Sequence, residues 1–478
     1  MRTAYSVETV RAAERLLMDR LPEGALMRRA AAGLAAVCAE LLARRTGRVY
    51  GSRVVLLVGP GDNGGDALYA GARLARRGAG VTAVPMDPGR VHPGGLAALR
   101  GAGGRVAEAV PRRVDLVVDG LVGIGGRGGL RPAAAALVEQ IPDGALVVAA
   151  DLPSGVDADT GEVAGAAVRA DVTVAFGAYK PGLLIDPGAS RAGAVALVDL
   201  GLGAVLPGPG AQALQHADVA ALLPVPTATS DKYRRGVVGV LAGSRQYPGA
   251  AVLAVAGALR GGAGAVRYVG PADRAVLARY PETLIGPGRV QAWVAGPGLG
   301  EGRAGEVAEL LAQDVPVLVD ADGLRGLDPG VLRARAAPTL LTPHAGEAAA
   351  LLGVARESVE AGRLAAVRAL AERYGATVLL KGSTTLVAGA GGPVRVNPTG
   401  TAWLATAGSG DVLAGLAGAL LAGGLSGADA GAVAAYLHGL AARRAASGAP
   451  VLAQQVAEAL PGAWRDVRSP DPSPGTTG

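Results

Sequence analysis

Short apolar runs recur along this chain, and many of them lead into a glycine-rich loop that is followed by a helical pattern. In the first half they lie at 54–58, 81–84, 116–118, 146–149, 172–175 and 195–198, and in the second at 237–241, 266–269, 292–295, 317–319, 339–341 and 378–380. Helical patterns lie at 6–20, 24–45, 66–77, 131–139, 250–260, 304–312 and 361–374. This alternation is typical of parallel strands joined by helical crossovers. The sequence therefore predicts an α/β fold.

The length and one change of composition predict the domain organisation. The 478 residues suffice for two or three domains of about 150 residues each. Between 201 and 229 the periodicity disappears and Gly, Pro, Ala and Thr accumulate, so we expect a boundary near 205–228. The halves show no repeat, which favours two different α/β domains over 1–210 and 225–466. The Pro-, Ser-, Gly- and Thr-rich end, 467–478, is predicted to be a disordered tail.

Charge, hydropathy and cysteine usage exclude several classes of function. The net charge of +6 comes from scattered arginines, and only 3% of residues are aromatic, so we expect no nucleic-acid partner. The longest apolar stretch, 412–425, is too short to span a bilayer, and the first residues lack a secretory signal pattern, so we expect no membrane association. The one cysteine, Cys38, allows no internal disulfide, which favours the cytoplasm.

Two residue types are rare enough to be informative. Of the 46 lysines and arginines only Lys180, Lys232 and Lys381 are lysines, and asparagine occurs only as Asn63 and Asn397. All five lie in loops near glycines. We expect them where an ammonium or a small amide is chemically required.

The loop at 59–66 follows the strand-like run 54–58 and opens a helix. Glycines 59, 61 and 64 fit the G-x-G-x-x-G pattern of dinucleotide-binding folds, but the match is weak on its own. Asp62 and Asp66 would oppose the pyrophosphate that such a loop normally holds at a helix N-terminus. The two carboxylates suit a cation or a neutral polar group better.

Polar residues follow the other strands of the first half. Asp119 precedes the glycine-dense stretch 123–129, and further strands lead to Asp151, Ser154 and Lys180. Because carboxyl ends of parallel strands share one edge, we expect these groups to converge with Asn63 and Asp66 on one crevice. Oxygens of Asn63, Asp119 and Ser154 would suit an alkali or alkaline-earth cation. Alternatively, Asp151 or Ser154 only fixes a turn and Asp119 only caps a loop.

On these motifs, residues 1–210 resemble the YjeF N-terminal domain, the NAD(P)H-hydrate epimerase family. The resemblance implies a Rossmann-like fold, K⁺ binding by Asn63, Asp119 and Ser154, and proton transfer by Asp151 and Lys180. It also implies that the hydrated nicotinamide nucleotide is bound by Asp62, Asn63, Gly64, Gly65, Asp66, Gly123, Ile124, Gly125, Gly126, Arg127, Gly128, Gly129 and Asp151.

The chemical centre of the second half is the stretch 408–411, Gly-Ser-Gly-Asp, which opens a long apolar helix. Glycines let backbone amides approach a phosphate at a helix N-terminus. There Asp411 could accept the proton of a hydroxyl that attacks phosphorus, or it could be an N-terminal cap alone. His344, after a strand and between Pro343 and Gly346, is interpreted as a ligand contact, with a buried core histidine as the alternative.

Residues 225–465 resemble the ribokinase-like ADP- or ATP-dependent NAD(P)H-hydrate dehydratases. The motifs are Thr-Pro-His-x-Gly-Glu at 342–347, Lys-Gly-x-x-Thr at 381–385, Asn-x-Thr-Gly at 397–400 and Gly-Ser-Gly-Asp. The resemblance implies that the hydrate is contacted by Ala250, Gly298, Gly300, His344 and Asp411. It implies that the adenine nucleotide is held by Lys381, Gly382, Ser383, Thr384, Thr385 and Gly410.

Together the two resemblances imply a bifunctional repair enzyme for NADH and NADPH hydrates. The second domain would use ADP or ATP, with Mg²⁺, to phosphorylate the C6 hydroxyl of the S hydrate, and phosphate loss would restore the reduced nucleotide. The first would interconvert the R and S epimers with K⁺ bound. We expect a homo-oligomer. The alternatives are a ribokinase-like kinase of a vitamin precursor, a non-catalytic nucleotide-sensing scaffold and a Rossmann dehydrogenase.

Overall fold

The computed structural model describes residues 1–469 and divides into two units. One spans Thr3–Ala211, and the other comprises Met1–Arg2 and the residues from Gln212 onward. We call them the first and second unit. The strand β1 (Arg2–Ala4) lies at the start of the chain. Among the described residues, no helix combines the length and the apolar character needed to cross a bilayer.

The first unit contains seven further strands of one sheet. The strands are β2 (Arg53–Val58), β3 (Gly80–Pro85), β4 (Arg105–Val106), β5 (Leu116–Gly120), β6 (Leu146–Ala150), β7 (Val172–Phe176) and β8 (Ala194–Val198). Its helices are α1 (Val7–Met18), α2 (Ala25–Thr46), α3 (Asp62–Arg76), α4 (Pro93–Gly101), α5 (Pro132–Val138) and α6 (Ala189–Ala192). The strand β9 (Ala211–Ala213) follows at the boundary of the two units and belongs to the sheet of the second unit. Ser6 is the N-cap of α1, since its hydroxyl accepts a hydrogen bond from the Thr9 amide.

The sheet of the first unit is parallel throughout and is covered on both faces. Its order is β4-β3-β2-β5-β6-β7-β8. Alternate residues of β2 enter different cores: Leu56 packs with Leu34 and Leu68 of the helices on one face, and Leu57 packs with Leu137 of α5 on the other. Burial on both faces explains why the strands are continuous apolar runs rather than alternating ones.

The second unit has a larger sheet and longer helices. Its strands are β10 (Val237–Leu241), β11 (Ala265–Val269), β12 (Leu284–Ile285), β13 (Ala292–Ala295), β14 (Val317–Val319), β15 (Thr339–Leu341), β16 (Thr377–Leu380), β17 (Thr385–Ala388) and β18 (Val394–Asn397). Its helices are α7 (His216–Leu222), α8 (Pro248–Arg260), α9 (Asp273–Arg279), α10 (Ala304–Leu311), α11 (Pro329–Ala334), α12 (Ala345–Leu352), α13 (Arg356–Ala361), α14 (Arg363–Tyr374), α15 (Ser409–Ala422), α16 (Gly427–Ala446) and α17 (Ala453–Arg468).

These nine strands follow the order β18-β17-β16-β15-β14-β13-β10-β11-β12. All pairs from β15–β16 to β11–β12 are parallel, whereas the pairs β16–β17 and β17–β18 are antiparallel. Helix α15 is buried from Val412 to Ala422 and packs into the same core as β10, α8 and α16. A helix that is apolar all round has to be enclosed by other elements, so its first turn is firmly placed.

Both sheets contain a point at which the strand order reverses. From β2 the chain adds β3 and β4 on one side and β5 to β8 on the other, and from β10 it adds β11 and β12 on one side and β13 onward on the other. At such a reversal the loops after two neighbouring strands diverge and leave a crevice at the carboxyl edge. The folds therefore predict one cleft after β2 and β5, and a second after β10 and β13.

The predicted start of helix α3 and the predicted start of the tail were wrong. Helix α3 begins at Asp62 instead of residue 66, because the first residues of the predicted loop already form its opening turn. The tail was predicted from residue 467, but α17 continues to Arg468 because Val467 is buried in the core. The remainder of that predicted tail, 470–478, lies outside the described residues.

Candidate active sites

A cleft of about 1400 Å³ lies at the reversal point of the first sheet. Most of the residues predicted for the first site line it: Asp62, Asn63, Asp66, Gly123, Ile124, Gly125, Gly126, Arg127, Gly128, Gly129 and Asp151. Gly64 and Gly65 do not line it but form the turn behind it. A Cβ on Gly64 would lie 2.2 Å from the Gly59 carbonyl oxygen, so only glycine allows this close approach of strand end and helix.

A buried ion pair lies at one wall of this cleft. Lys180 is 1% exposed, and its Nζ donates hydrogen bonds to Asp151 Oδ1 and, at 3.0 Å, to the Phe176 carbonyl. Asp151 Oδ1 also accepts the Phe176 amide at 2.9 Å. Asp151 has a φ of +63°, a backbone conformation that non-glycine residues rarely adopt and that often marks a functional site. Asp151 lines the cleft, whereas Lys180 does not line it and is bonded to the Asp151 carboxylate from within the protein.

Asp119 and Ser154 are directly hydrogen-bonded. The Ser154 hydroxyl donates to Asp119 Oδ1 at 2.7 Å, and the Ser154 amide donates to Oδ2 at 2.8 Å. Burial raises the pKa of Asp119 to about 6, although these hydrogen bonds act in the opposite direction. The Ser154 hydroxyl also contacts the Val122 backbone, and a Cβ on Gly123 would lie 3.3 Å from the Asn63 side chain. The three predicted cation ligands are therefore brought together around one loop.

Two polar atoms at this cleft are buried without a partner among residues 1–469: Asn63 Nδ2 and Asp66 Oδ1. Burial, followed by the nearby charges of Asp151, Asp62 and Glu14, raises the pKa of Asp66 well above its usual value. Burial likewise raises the pKa of Glu14 on α1, which also lines the cleft. Buried polar atoms normally have partners, so these two are available to a ligand.

The second cleft, about 980 Å³, lies at the reversal point of the second sheet. It is lined by residues after β10, including Tyr247 and Ala250, by Gly298 and Gly300 after β13, and by Asp411. Gly298 has a φ of +60°, and a Cβ there would lie 2.5 Å from the Ala250 side chain. Four of the five residues predicted to contact the substrate of this half thus surround one space.

Asp411 lies in the first turn of α15, whose N-cap Gly408 has a φ of +85°. Burial and the neighbouring Asp320 carboxylate raise the pKa of Asp411 to about 7, while Lys381 lowers it. A carboxyl group that titrates near neutral pH is suited to accepting a proton from substrate. Its position at a helix N-terminus also places it beside backbone amides that favour a bound phosphate.

Lys381 connects this region to the loop after β16. Its Nζ donates a 2.7 Å hydrogen bond to Asp320 Oδ1 and lies 3.8 Å from Glu347 Oε2. Burial lowers the pKa of Lys381, but the Asp320 and Glu347 carboxylates together outweigh burial and raise it above its usual value. A Cβ on Gly410 would lie 3.4 Å from Lys381 Nζ, so the predicted nucleotide residues Lys381 and Gly410 are neighbours.

His344 is not brought to this cleft. It is the N-cap of α12, where its Nδ1 accepts the amides of Gly346 and Glu347 at 3.0 and 3.1 Å. Its side chain is 59% exposed, and its Nε2 lies 3.4 Å from Glu347 Oε1. The alternative of a buried core histidine is therefore wrong, whereas the expected contact of His344 with a ligand stays a prediction.

The two loops that follow β16 and β18 are each held by an arginine. Arg363 of α14 donates to the carbonyls of Leu380, Lys381 and Thr384, and Arg443 of α16 donates to those of Pro398, Thr399 and Gly400. The loops also touch, since a Cβ on Gly400 would lie 2.7 Å from the Ser383 carbonyl oxygen. Of the remaining predicted nucleotide residues, Gly382, Ser383 and Thr384 lie in the first of these loops, and Thr385 is the first residue of β17.

Comparison with known proteins places the chain. A family model described as NAD(P)H-hydrate dehydratase matches residues 238–462, and one described as YjeF-related protein N-terminus matches residues 23–182. The bifunctional NAD(P)H-hydrate repair enzyme Nnr of Mycobacterium tuberculosis is 52% identical over 442 residues, which cover 90% of this chain and 92% of that protein. The chain belongs to the family of bifunctional NAD(P)H-hydrate repair enzymes. The Mycobacterium leprae repair enzyme is 52% identical over 457 residues, covering 94% of this chain and 95% of that protein.

A solved structure supports the fold of the second unit of this repair enzyme. The ADP/ATP-dependent NAD(P)H-hydrate dehydratase from Bacillus subtilis, co-crystallised with ATP and Mg²⁺, aligns with a TM-score of 0.50 and 30% identity. The alignment covers 53% of this chain and 97% of that chain. The predicted α/β class, with a Rossmann-like and a ribokinase-like part, is confirmed.

Several residues near the second site of this repair enzyme were not predicted from its sequence. Asp320 follows β14, and its position after a strand could have drawn attention to it. Arg363 carried no signal, because arginine is common in the chain. His438 on α16 is buried, burial lowers its pKa to about 4, and its Nε2 has no partner among residues 1–469. The rarity of lysine was informative for Lys180 and Lys381 but not for Lys232, which is exposed beside Tyr233.

Proposed function

We propose that this chain restores hydrated nicotinamide nucleotides, epimerising R and S NAD(P)H hydrates in its first unit and dehydrating the S epimer in its second. Family membership supports the pair of activities. The observation that carries the second is Asp411, a carboxyl group with a pKa of about 7 at the N-terminus of a buried helix, in a cleft with Ala250, Gly298 and Gly300.

In the second unit, Asp411 would remove the proton of the C6 hydroxyl as its oxygen attacks the terminal phosphorus of ADP or ATP. The bond from phosphorus to the bridging oxygen breaks and yields AMP or ADP. Loss of phosphate from C6 and of a proton from C5 then restores the C5–C6 double bond. Lys381 and the loop 381–385, with Gly410, would hold the nucleotide phosphates.

Mg²⁺ would enter with the nucleotide and neutralise phosphate charge. Residues 1–469 contain no cluster of three or more His, Cys, Asp or Glu side chains that could hold a metal. Such a cluster is not needed, because Mg²⁺ at nucleotide sites often takes one or two carboxylates and fills its remaining positions with phosphates and water.

In the first unit, Asn63, Asp119 and Ser154 would hold K⁺. Together with the Val122 carbonyl they offer only oxygen ligands and a single carboxylate, a set that suits a weakly charged, hard cation. Bound K⁺ would fix the loops after β2, β5 and β6 relative to one another. Asp151 and Lys180 would carry protons to and from the hydrate.

The decisive experiment supplies purified protein with an epimeric mixture of NADH hydrate, Mg²⁺, K⁺ and either ADP or ATP, and follows the absorbance of reduced nicotinamide. Recovery of the whole pool supports both activities. Recovery confined to the S fraction contradicts the epimerase assignment, and a stable phosphorylated product without recovery favours the kinase alternative. Repeating the assay with NADPH hydrate gives the substrate preference. We further propose that the enzyme acts in the cytoplasm and forms a homo-oligomer, which sedimentation would test.

A further inference from the structure

The first cleft contains a buried carboxyl group, that of Asp66, which is not part of the ion pair of Asp151 and Lys180. Asp66 is 8% exposed, lines the cleft from the second turn of α3, and its Oδ1 has no hydrogen-bond partner among residues 1–469. An unpaired ionised carboxylate is very costly to bury, and a neutral carboxylic acid much less so. A neutral acid is also a proton donor, which an ionised carboxylate is not.

The charges around Asp66 favour this neutral form. Asp62 on the same helix, Glu14 on α1 and Asp151 at the end of β6 line the same cleft, and their negative charges act on Asp66. His92 lies over the neighbouring Gly65, where a Cβ would be 3.1 Å from its ring. The cations nearby act on other groups: Lys180 bonds to Asp151, and Lys180 and Arg11 act on Glu14. The negative charges of three carboxyl groups that line the same cleft thus act on Asp66, and among residues 1–469 no cation forms an ion pair with it.

We propose that Asp66 is the general acid of epimerisation and acts opposite Asp151, the general base. This rests on the epimerase activity proposed above. Asp66 donates its proton to the C6 hydroxyl oxygen of the hydrate, and the C6–O bond breaks as the lone pair of the adjacent ring nitrogen forms a C6=N1 iminium. Water adds to the opposite face of C6 and transfers a proton to Asp151. One water leaves and one enters, and proton exchange with solvent resets the two carboxyl groups.

This assignment explains why the two acids differ in their surroundings. Asp151 is held by an ammonium and an amide, which stabilise a carboxylate. Asp66 has neither at Oδ1. Pairs of carboxyl groups whose environments favour opposite protonation states are the usual arrangement for combined acid and base catalysis.

The test measures conversion of purified R hydrate to S by chromatography, with K⁺ and without nucleotide, in wild type, Asp66→Asn, Asp66→Glu and the exposed control Asp143→Asn. The urea midpoint of each variant reports on folding of the first unit, and dehydration of the S epimer, measured separately with ADP or ATP, shows that the second unit is intact. We expect Asp66→Asn to lower kcat for epimerisation by about 100-fold or more, with KM little changed. Asp66→Glu should recover at least tenfold of that loss, and Asp143→Asn should match wild type.

Two further readouts separate acid catalysis from a structural role. The wild-type rate should fall at high pH as Asp66 ionises, and Asp66→Asn should lose that fall. In water labelled with ¹⁸O, each R-to-S conversion should place label in the C6 hydroxyl. Epimerisation without label, or an Asp66→Asn variant within twofold of wild type, would overturn the inference alone. A wild-type protein that does not epimerise at all would overturn the proposed function of the first unit and this inference together.

Discussion

Lys381 donates a 2.7 Å hydrogen bond to Asp320, and the two residues have opposite effects on Asp411: Asp320 raises its pKa and Lys381 lowers it. Because Asp411 has a pKa of about 7, the dehydration rate should rise with pH up to about 7 and then level off. Asp320→Asn removes the negative charge but keeps Lys381, so this rise should move to lower pH. Single-turnover rates between pH 5 and 9 check this, and an unmoved profile would mean that another group titrates.

The buried pair of Lys180 and Asp151 predicts a stability effect that is separate from activity. Lys180→Met leaves the Asp151 carboxylate buried without its ammonium, and breaking a buried pair in this way costs about 3–5 kcal/mol. The double variant Lys180→Met with Asp151→Asn removes both charges and should regain most of that free energy of unfolding. Epimerisation, which the wild type carries out, should be lost in both variants. Urea denaturation measures the effect, and equal destabilisation by the single and double variants would contradict it.

Arg363 predicts an effect on nucleotide binding through the loop it holds. Arg363→Lys keeps the charge, but lysine is shorter and lacks the Nη2 atom that donates to all three carbonyls, so the loop 381–384 should lose its shape. We expect KM for ADP or ATP to rise about tenfold, with a smaller change in kcat. Arg368→Lys, an exposed position on the same helix, is the matched control. Equal kinetics for the two variants would show that the loop does not depend on Arg363.

His438 predicts how stability changes in mild acid. Burial lowers its pKa to about 4 from a usual value of 6.5, so between these pH values the unfolded chain takes up a proton that the folded chain does not. Stability from this group is therefore present above pH 6.5 and is lost as the pH falls towards 4, by at most about 3 kcal/mol. His438→Gln should weaken that dependence. The urea midpoint at pH 7 and at pH 4.5 measures it, and parallel losses in both proteins would contradict the assignment.

The positions of the strands could be predicted because each is buried on both faces. A strand such as β10 or β13 is then a continuous apolar run, and its predicted limits agree with the observed ones. The antiparallel β17 and β18 were missed because they are short and lie between motifs that were interpreted as loops. The start of α3 was missed because an Asp-Asn-Gly-Gly sequence has low helix propensity, and close packing against the Gly59 carbonyl overrides it.

The candidate sites were partly predictable for a topological reason. Loops that follow parallel strands meet at one edge, which places Asn63, Gly123 and Asp151 at one cleft. The same rule cannot tell which loop residues face inward. His344, for example, follows β15 but is the N-cap of α12 and does not line the second cleft. The rule also says nothing about side chains that reach a loop from behind, such as Arg363 and His438. Those depend on helix packing, which a single sequence does not specify.

The concentration of polar chemistry at one edge of each sheet leaves the opposite edge available to the experimenter. In the first unit, the turn before β6 at Asp143 and Gly144 is exposed and lies at the amino end of that strand. A short peptide tag or a fluorophore attached there would be held on a rigid strand, away from the loops that form the cleft. Such a label would report on folding in cells without disturbing catalysis.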